Sequence, residues 1–163
     1  MKKAGISLLV LVLLTSGSAN LQAQKSEKKD EAFRQMTALI ESGNYAFRIR
    51  SVNPTGGRTI NPSSLYTMTA KEGAFKAHLP YFGRAYQASY AVDGGVVFDG
   101  EPENLEITTN ERKRNVTVRF QINGDNDRYS AILSVSYSGY GNLTITSPRR
   151  QAISYYGPVS PPE

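Results

Sequence analysis

The sequence predicts a mainly β protein: an N-terminal amphipathic helix, then a curved antiparallel meander closing into a barrel, half-barrel or sandwich. Three observations carry this. Apolar residues recur at helical spacing before Gly43 and at a spacing of two after it. Apart from one long loop around residues 53–62, the breaks after Gly43 are short and rich in Gly, Asn and Asp. No later segment reads as the helical crossover of about a dozen residues that a parallel pair requires.

The helix is expected over about residues 27–42. Phe33, Met36, Leu39 and Ile40 form one stripe, Asp30 and Glu31 sit in the first turn, and Gly43 is a natural stop. Tyr45, Phe47 and Ile49 then alternate with Ala46, Arg48 and Arg50, giving a strand with one apolar and one largely basic face that Pro54 ends. Asn53-Pro54-Thr55-Gly56-Gly57 and Asn61-Pro62 mark a long loop. Strand patterns follow at Leu65–Ala70, Phe75–Leu79, Tyr86–Val92, Val96–Phe98, Leu105–Thr109, Val116–Ile122, Tyr129–Tyr137 and Leu143–Thr146. Asp93-Gly94-Gly95, Asn123 to Asp127 and Gly139-Tyr140-Gly141-Asn142 supply the turns. A short strand at Ala152–Tyr155 precedes a Pro-rich tail that should not pair continuously. Nine or so twisted strands exceed what an open sheet holds comfortably, so the sheet should curl.

The 163 residues fit one domain around one core. Having no cysteine, the chain cannot carry a disulfide framework, a thiolate zinc site, an iron–sulfur cluster, a cysteine nucleophile or a lipid-anchored N-terminal cysteine. Met1-Lys2-Lys3 is followed by an apolar run from Ile6 to Leu14, broken only by Ser7, and then by small polar residues. That is the order of a secretory signal, and the run has roughly half of the ~20 residues needed to span a bilayer. Residues 1–23 are therefore expected to be a cleavable signal peptide, cut after Ala23 or Ala19. Residues 24–163 form the exported domain, periplasmic or secreted, with no transmembrane segment and no lipid anchor. Cleavage leaves 17 basic and 14 acidic residues, a net charge of +3. The densest basic run, Glu111-Arg112-Lys113-Arg114, lies between two strand patterns without interleaved aromatics, so nucleic acid is not an expected partner.

Catalytic patterns are weak. No Gly-x-Ser-x-Gly elbow exposes a serine, and His78, the one histidine, alternates with Phe75, Ala77 and Leu79 and so belongs to a wet strand face. Asp125 and Asp127 read as turn residues, since the calcium-loop glutamate is missing. Glu101, Glu103 and Glu106 read as exposed charges around Pro102. Neither a phosphate loop nor a metal motif is present, so no cofactor or metal is expected.

The run His78-Leu79-Pro80-Tyr81-Phe82-Gly83-Arg84-Ala85-Tyr86 concentrates aromatics, an arginine and turn residues. Such a run caps a core or lines a pocket. Its stretch from Leu79 to Tyr86, together with Val97-Phe98 and the ending Gly141 to Gly157, resembles the exported family called domain of unknown function 4251, typical of Bacteroidetes. The resemblance covers nearly all of the chain after the signal. It implies a small secreted or periplasmic β-rich protein, with a signal often ending near Gln-Ala-Gln, as at Gln22-Ala23-Gln24; it assigns no activity and no catalytic residue.

The two motif segments share arginine, tyrosine and glycine near strand ends. Tyr81, Arg84 and Tyr86 should therefore meet Arg149, Arg150, Tyr155 and Tyr156 at one rim of the curved sheet. Tyr81, Arg84, Tyr86, Arg149 and Tyr155 are the candidate ligand-binding residues, for a small molecule, a peptide or a glycan. A non-catalytic ligand-binding module of the cell envelope is the first functional reading. An envelope structural or protein-interaction module is the alternative, and a hydrolase using carboxylates or His78 comes last. The oligomeric state is not legible.

Overall fold

The helical period stops where expected. The computed structural model describes residues 24–83, 95–125 and 127–162, and its helix α1 (residues 24–41) ends with the Gly43 N–H donated to the Ile40 carbonyl at 3.1 Å. Phe33 and Ile40 are buried and Met36 and Leu39 pack beside them, so the predicted stripe is the face that meets the core. At the other end of α1, Arg114 Nε donates to Asp30 Oδ1 at 2.5 Å and Arg114 Nη2 donates to Ser26 Oγ at 3.0 Å. The hydrogen bond from Arg114 holds the Asp30 carboxyl below its ordinary value. The basic run at 111–114 is thus a turn whose last residue ties the helix to the sheet.

Ten strands follow: β1 (Tyr45–Arg48), β2 (Ser51–Pro54), β3 (Thr67–Lys71), β4 (Ala74–Leu79), β5 (Val96–Gly100), β6 (Glu103–Asn110), β7 (Asn115–Asn123), β8 (Arg128–Ser136), β9 (Tyr140–Thr146) and β10 (Ile153–Ser160). All their pairings are antiparallel. The sheet runs β5-β4-β3-β1-β10-β9-β8-β7-β6, with β2 also paired to β10. Alternation places Val116, Val118, Phe120 and Ile122 inside, as their spacing predicts. The inner face is continuous: Phe75 on β4 meets Phe120 on β7 at 4.3 Å between ring centroids, and Phe98 on β5 lies 6.3 Å from Phe120 and 6.1 Å from Tyr129. Aromatic contact between strands so far apart in the order requires the sheet to curl into a half-barrel. No helix among the described residues is long and apolar enough to cross a membrane.

Three local expectations are corrected. The expected Pro-rich tail is strand: β10 pairs with β9 from Ile153 to Pro158 and with β1 at Val159 and Ser160. It continues through Pro158 because β1 and β2 are two halves of one neighbouring strand, interrupted at Ile49-Arg50. Pro158, which has no N–H to give, falls opposite that interruption. The same spot needs Gly157, since a Cβ there would lie 1.8 Å from the Arg48 carbonyl oxygen. The β8–β9 turn is narrower than its composition predicts, because Tyr140-Gly141-Asn142 is already strand and the reversal uses 137–139. Ser51–Pro54, partly assigned to the loop, is paired as β2. The predicted strand Tyr86–Val92 lies outside the described residues.

Candidate functional site

Leu79 closes β4, and Pro80 turns the chain out of the sheet. Between β9 and β10, Ser147 Oγ accepts the backbone N–H groups of Arg149 and Arg150 at 3.2 and 3.1 Å, a local turn that aims Arg150 inward. The two segments meet there. Tyr155 Oη donates to the Pro80 carbonyl at 2.9 Å, and Tyr81 Oη donates to the Gln151 carbonyl at 3.0 Å. The Arg150 guanidinium lies 5.3 Å from the Tyr81 ring centroid, donates Nη1 to the Gly95 carbonyl, and places Nε 3.6 Å from Asp127 Oδ2. One arginine thereby joins the ends of β4, the start of β5, the β7–β8 turn and the β9–β10 connection. The ion pair is sheltered, with the side chains 10% and 2% exposed.

Of the sequence-predicted residues, Tyr81 stands at this rim, half-buried. Tyr155 is fully buried, so its phenol is a wall of the rim and its proton is held by Pro80. Burial pushes its pKa above the ordinary tyrosine value. Arg149 is exposed, while its neighbour Arg150 makes the contacts to Tyr81. Tyr156 points to the outer face and stacks on Tyr140 at 5.5 Å. Arg84 and Tyr86 lie outside the described residues.

Beside the rim, on the outer face of β3, β4 and β5, lies a groove of about 700 Å³. Thr67 and Thr69, Lys76 and His78, and Val97 and Asp99 line its floor, with Tyr66 and Leu65 at one side and Asp125 from the β7–β8 turn. Registers Thr69↔Lys76, Lys76↔Asp99 and His78↔Val97 set these side chains in rows. Lys76 Nζ donates to Asp99 Oδ2 at 2.6 Å. Both groups are well exposed, so the pair orders the floor more than it stabilises the fold. His78 occupies the wet position that its alternation predicts, and here that position is part of the groove floor. Tyr66, Lys76, Asp99 and Asp125 were missed as site residues. The period of two puts the floor residues on outer faces, but only strand register brings three strands' worth of them together.

The arrangement offers an ammonium, two carboxylates, an imidazole and hydroxyls in a shallow depression with an aromatic edge, which suits a polar ligand held by several hydrogen bonds. Among the described residues, no group of three or more His, Cys, Asp or Glu side chains is placed to hold a metal ion.

The family described as domain of unknown function (DUF4251) matches residues 27–159. The crystal structure of a DUF4251 family protein from Bacteroides eggerthii DSM 20697 is similar in fold, with a TM-score of 0.60 and 17% sequence identity, covering 80% of this chain and 87% of that one. No curated protein matches the chain. With its helix, its curled sheet and both motif segments inside the matched range, the chain belongs to the DUF4251 family.

Proposed function

We propose that the protein is an exported, non-catalytic ligand-binding module of the cell envelope, and that the groove on β3, β4 and β5 receives the ligand. The observation that carries this reading is the convergence of Lys76, His78, Asp99 and Asp125 beside Tyr66 in a concave space next to a rim pinned by Arg150. Fixed walls reduce the ordering cost of binding. A small molecule, a peptide or a glycan would be gripped by charge-assisted hydrogen bonds from the floor and by the Tyr66 ring. Thermal-shift screening with envelope glycans, short peptides and metabolites tests it, because a ligand at 100 times its Kd adds about 2.7 kcal/mol of stability. The shift should vanish in the Lys76→Ala/Asp99→Ala double variant. A shift that survives in that variant, or no shift with any compound, overturns the reading. Export is tested by the intact mass of the protein from its native host, where a retained Met1 refutes it.

A second reading, an envelope interaction module, is favoured by one observation: β6 is exposed along its entire length.

A further inference from the structure

All eight residues of β6, Glu103–Asn110, are exposed, on both faces of the strand. Each of the other nine strands buries at least one residue. The exposed residues of β6 include two large aliphatic ones, Leu105 at 46% and Ile107 at 38%. One edge of β6 is bonded to β7, in unbroken register from Glu106↔Arg119 to Asn110↔Asn115. Its other edge meets no strand among the described residues, because β6 ends the sheet order.

Proteins ordinarily blunt such edges with a proline, a lysine, a bulge or extreme shortness. Here Pro102 and the irregularity between Glu103 and Glu106 protect only the start of the strand. From Glu106 to Asn110 there is no proline, no lysine and no bulge, and Glu106 is the lone charge. A regular, nearly uncharged edge with exposed aliphatic side chains is a template for strand addition.

We propose that β6 pairs antiparallel with β6 of a second copy of this chain, joining two half-barrels into one continuous sheet. This names the partner for the interaction reading and does not depend on the groove. The strand is its own complement in one register. With Ile107 opposite its twin, Glu106 faces Thr108 and Leu105 faces Thr109, so no like charges oppose each other. Leu105 then lies diagonal to the partner's Ile107, within reach of a long side chain. Ile107 also sits opposite Val118 of β7, so the apolar strip continues the inner face of each sheet. Sliding the pair to centre on Glu106 sets two carboxylates face to face, which is unfavourable. Sliding it to centre on Thr108 separates Leu105 from the partner's Ile107. A two-fold contact of this kind closes on itself and leaves no free β6 edge.

The chain has no cysteine, so a single introduced thiol reports the register without background. In the purified protein, sedimentation equilibrium should show the mass doubling with concentration, and Ile107→Lys should hold it at the monomer mass. Under mild oxidation Ile107→Cys should give a disulfide-linked dimer. Thr109→Cys should not, because its twin is displaced by four residues, about 13 Å along the strand, beyond the ~7 Å limit for bridging. A monomer at every concentration, a dimer that survives Ile107→Lys, or equal cross-linking of the two cysteine variants overturns the proposal. The cysteine pair decides the matter even if Ile107→Lys impairs folding. None of these outcomes bears on binding in the groove.

Discussion

Tyr155 and Pro80, 75 residues apart, are joined by a single hydrogen bond of 2.9 Å between a buried phenol and a backbone carbonyl. The bond fastens the last strand to the exit of β4, and it fixes the rim beside which the groove lies. Tyr155→Phe keeps the ring and removes the donor. The variant should lose about 1 kcal/mol of stability, seen as a lower urea midpoint at unchanged slope. Tyr156→Phe, on the outer face, should stay within about 0.5 kcal/mol of the parent.

Arg150 and Asp127 form an ion pair that solvent barely reaches. Asp127 Oδ2 has no hydrogen-bond partner among the described residues, so the guanidinium at 3.6 Å is its main compensation. Arg150→Ala should cost about 3–5 kcal/mol, because it leaves a sheltered carboxylate without its counter-charge, held only by the Arg128 N–H on Oδ1. Asp127→Ala in the same chain should restore part of that loss, and a double-mutant cycle in urea measures the coupling.

Gly124 lets the β7–β8 turn lie against β5. A Cβ there would come within 2.3 Å of the Val97 carbonyl oxygen and 2.7 Å of the Tyr129 ring. Gly124→Ala should therefore push β5 away from β7 and cost about 1–3 kcal/mol. Hydrogen exchange should show the amides of β5 losing protection before those of β8 and β9.

Two phenols, Tyr45 and Tyr155, are held well above the ordinary tyrosine pKa by burial. In the unfolded chain they release protons near pH 10, whereas in the folded chain they keep them. Above pH 10 the folded state therefore binds more protons than the unfolded one, and stability falls as pH rises. Each phenol should contribute a slope of up to about 1.4 kcal/mol per pH unit. Urea midpoints measured from neutral pH to above pH 10 check this; a flat profile would show that both groups reach solvent in the folded state.

Much of the fold was legible because a local period writes a face directly into the chain. Phe33 and Ile40 at helical spacing, Val116 to Ile122 at a spacing of two, and the glycine after α1 each settle their own neighbourhood without reference to anything distant. The meeting of the Tyr81 segment with the Arg150 segment was also readable, from shared composition at two strand ends. Which arginine turns inward was not. Arg149 and Arg150 are adjacent, and the Ser147 turn together with the position of Asp127 selects the second.

What the amino-acid order alone determined is therefore the helix, the strands from Val116 to Ile122 and Tyr129 to Ser136, and which of their faces is apolar. The packed molecule decided the rest: the interruption that accommodates Pro158, the row of Thr69, Lys76 and Asp99 under the groove, and the edge of β6 that no strand among the described residues pairs. Those features depend on register between strands brought together by the curl. Register is set by how distant apolar faces fit one another, and no window of neighbouring residues contains that information.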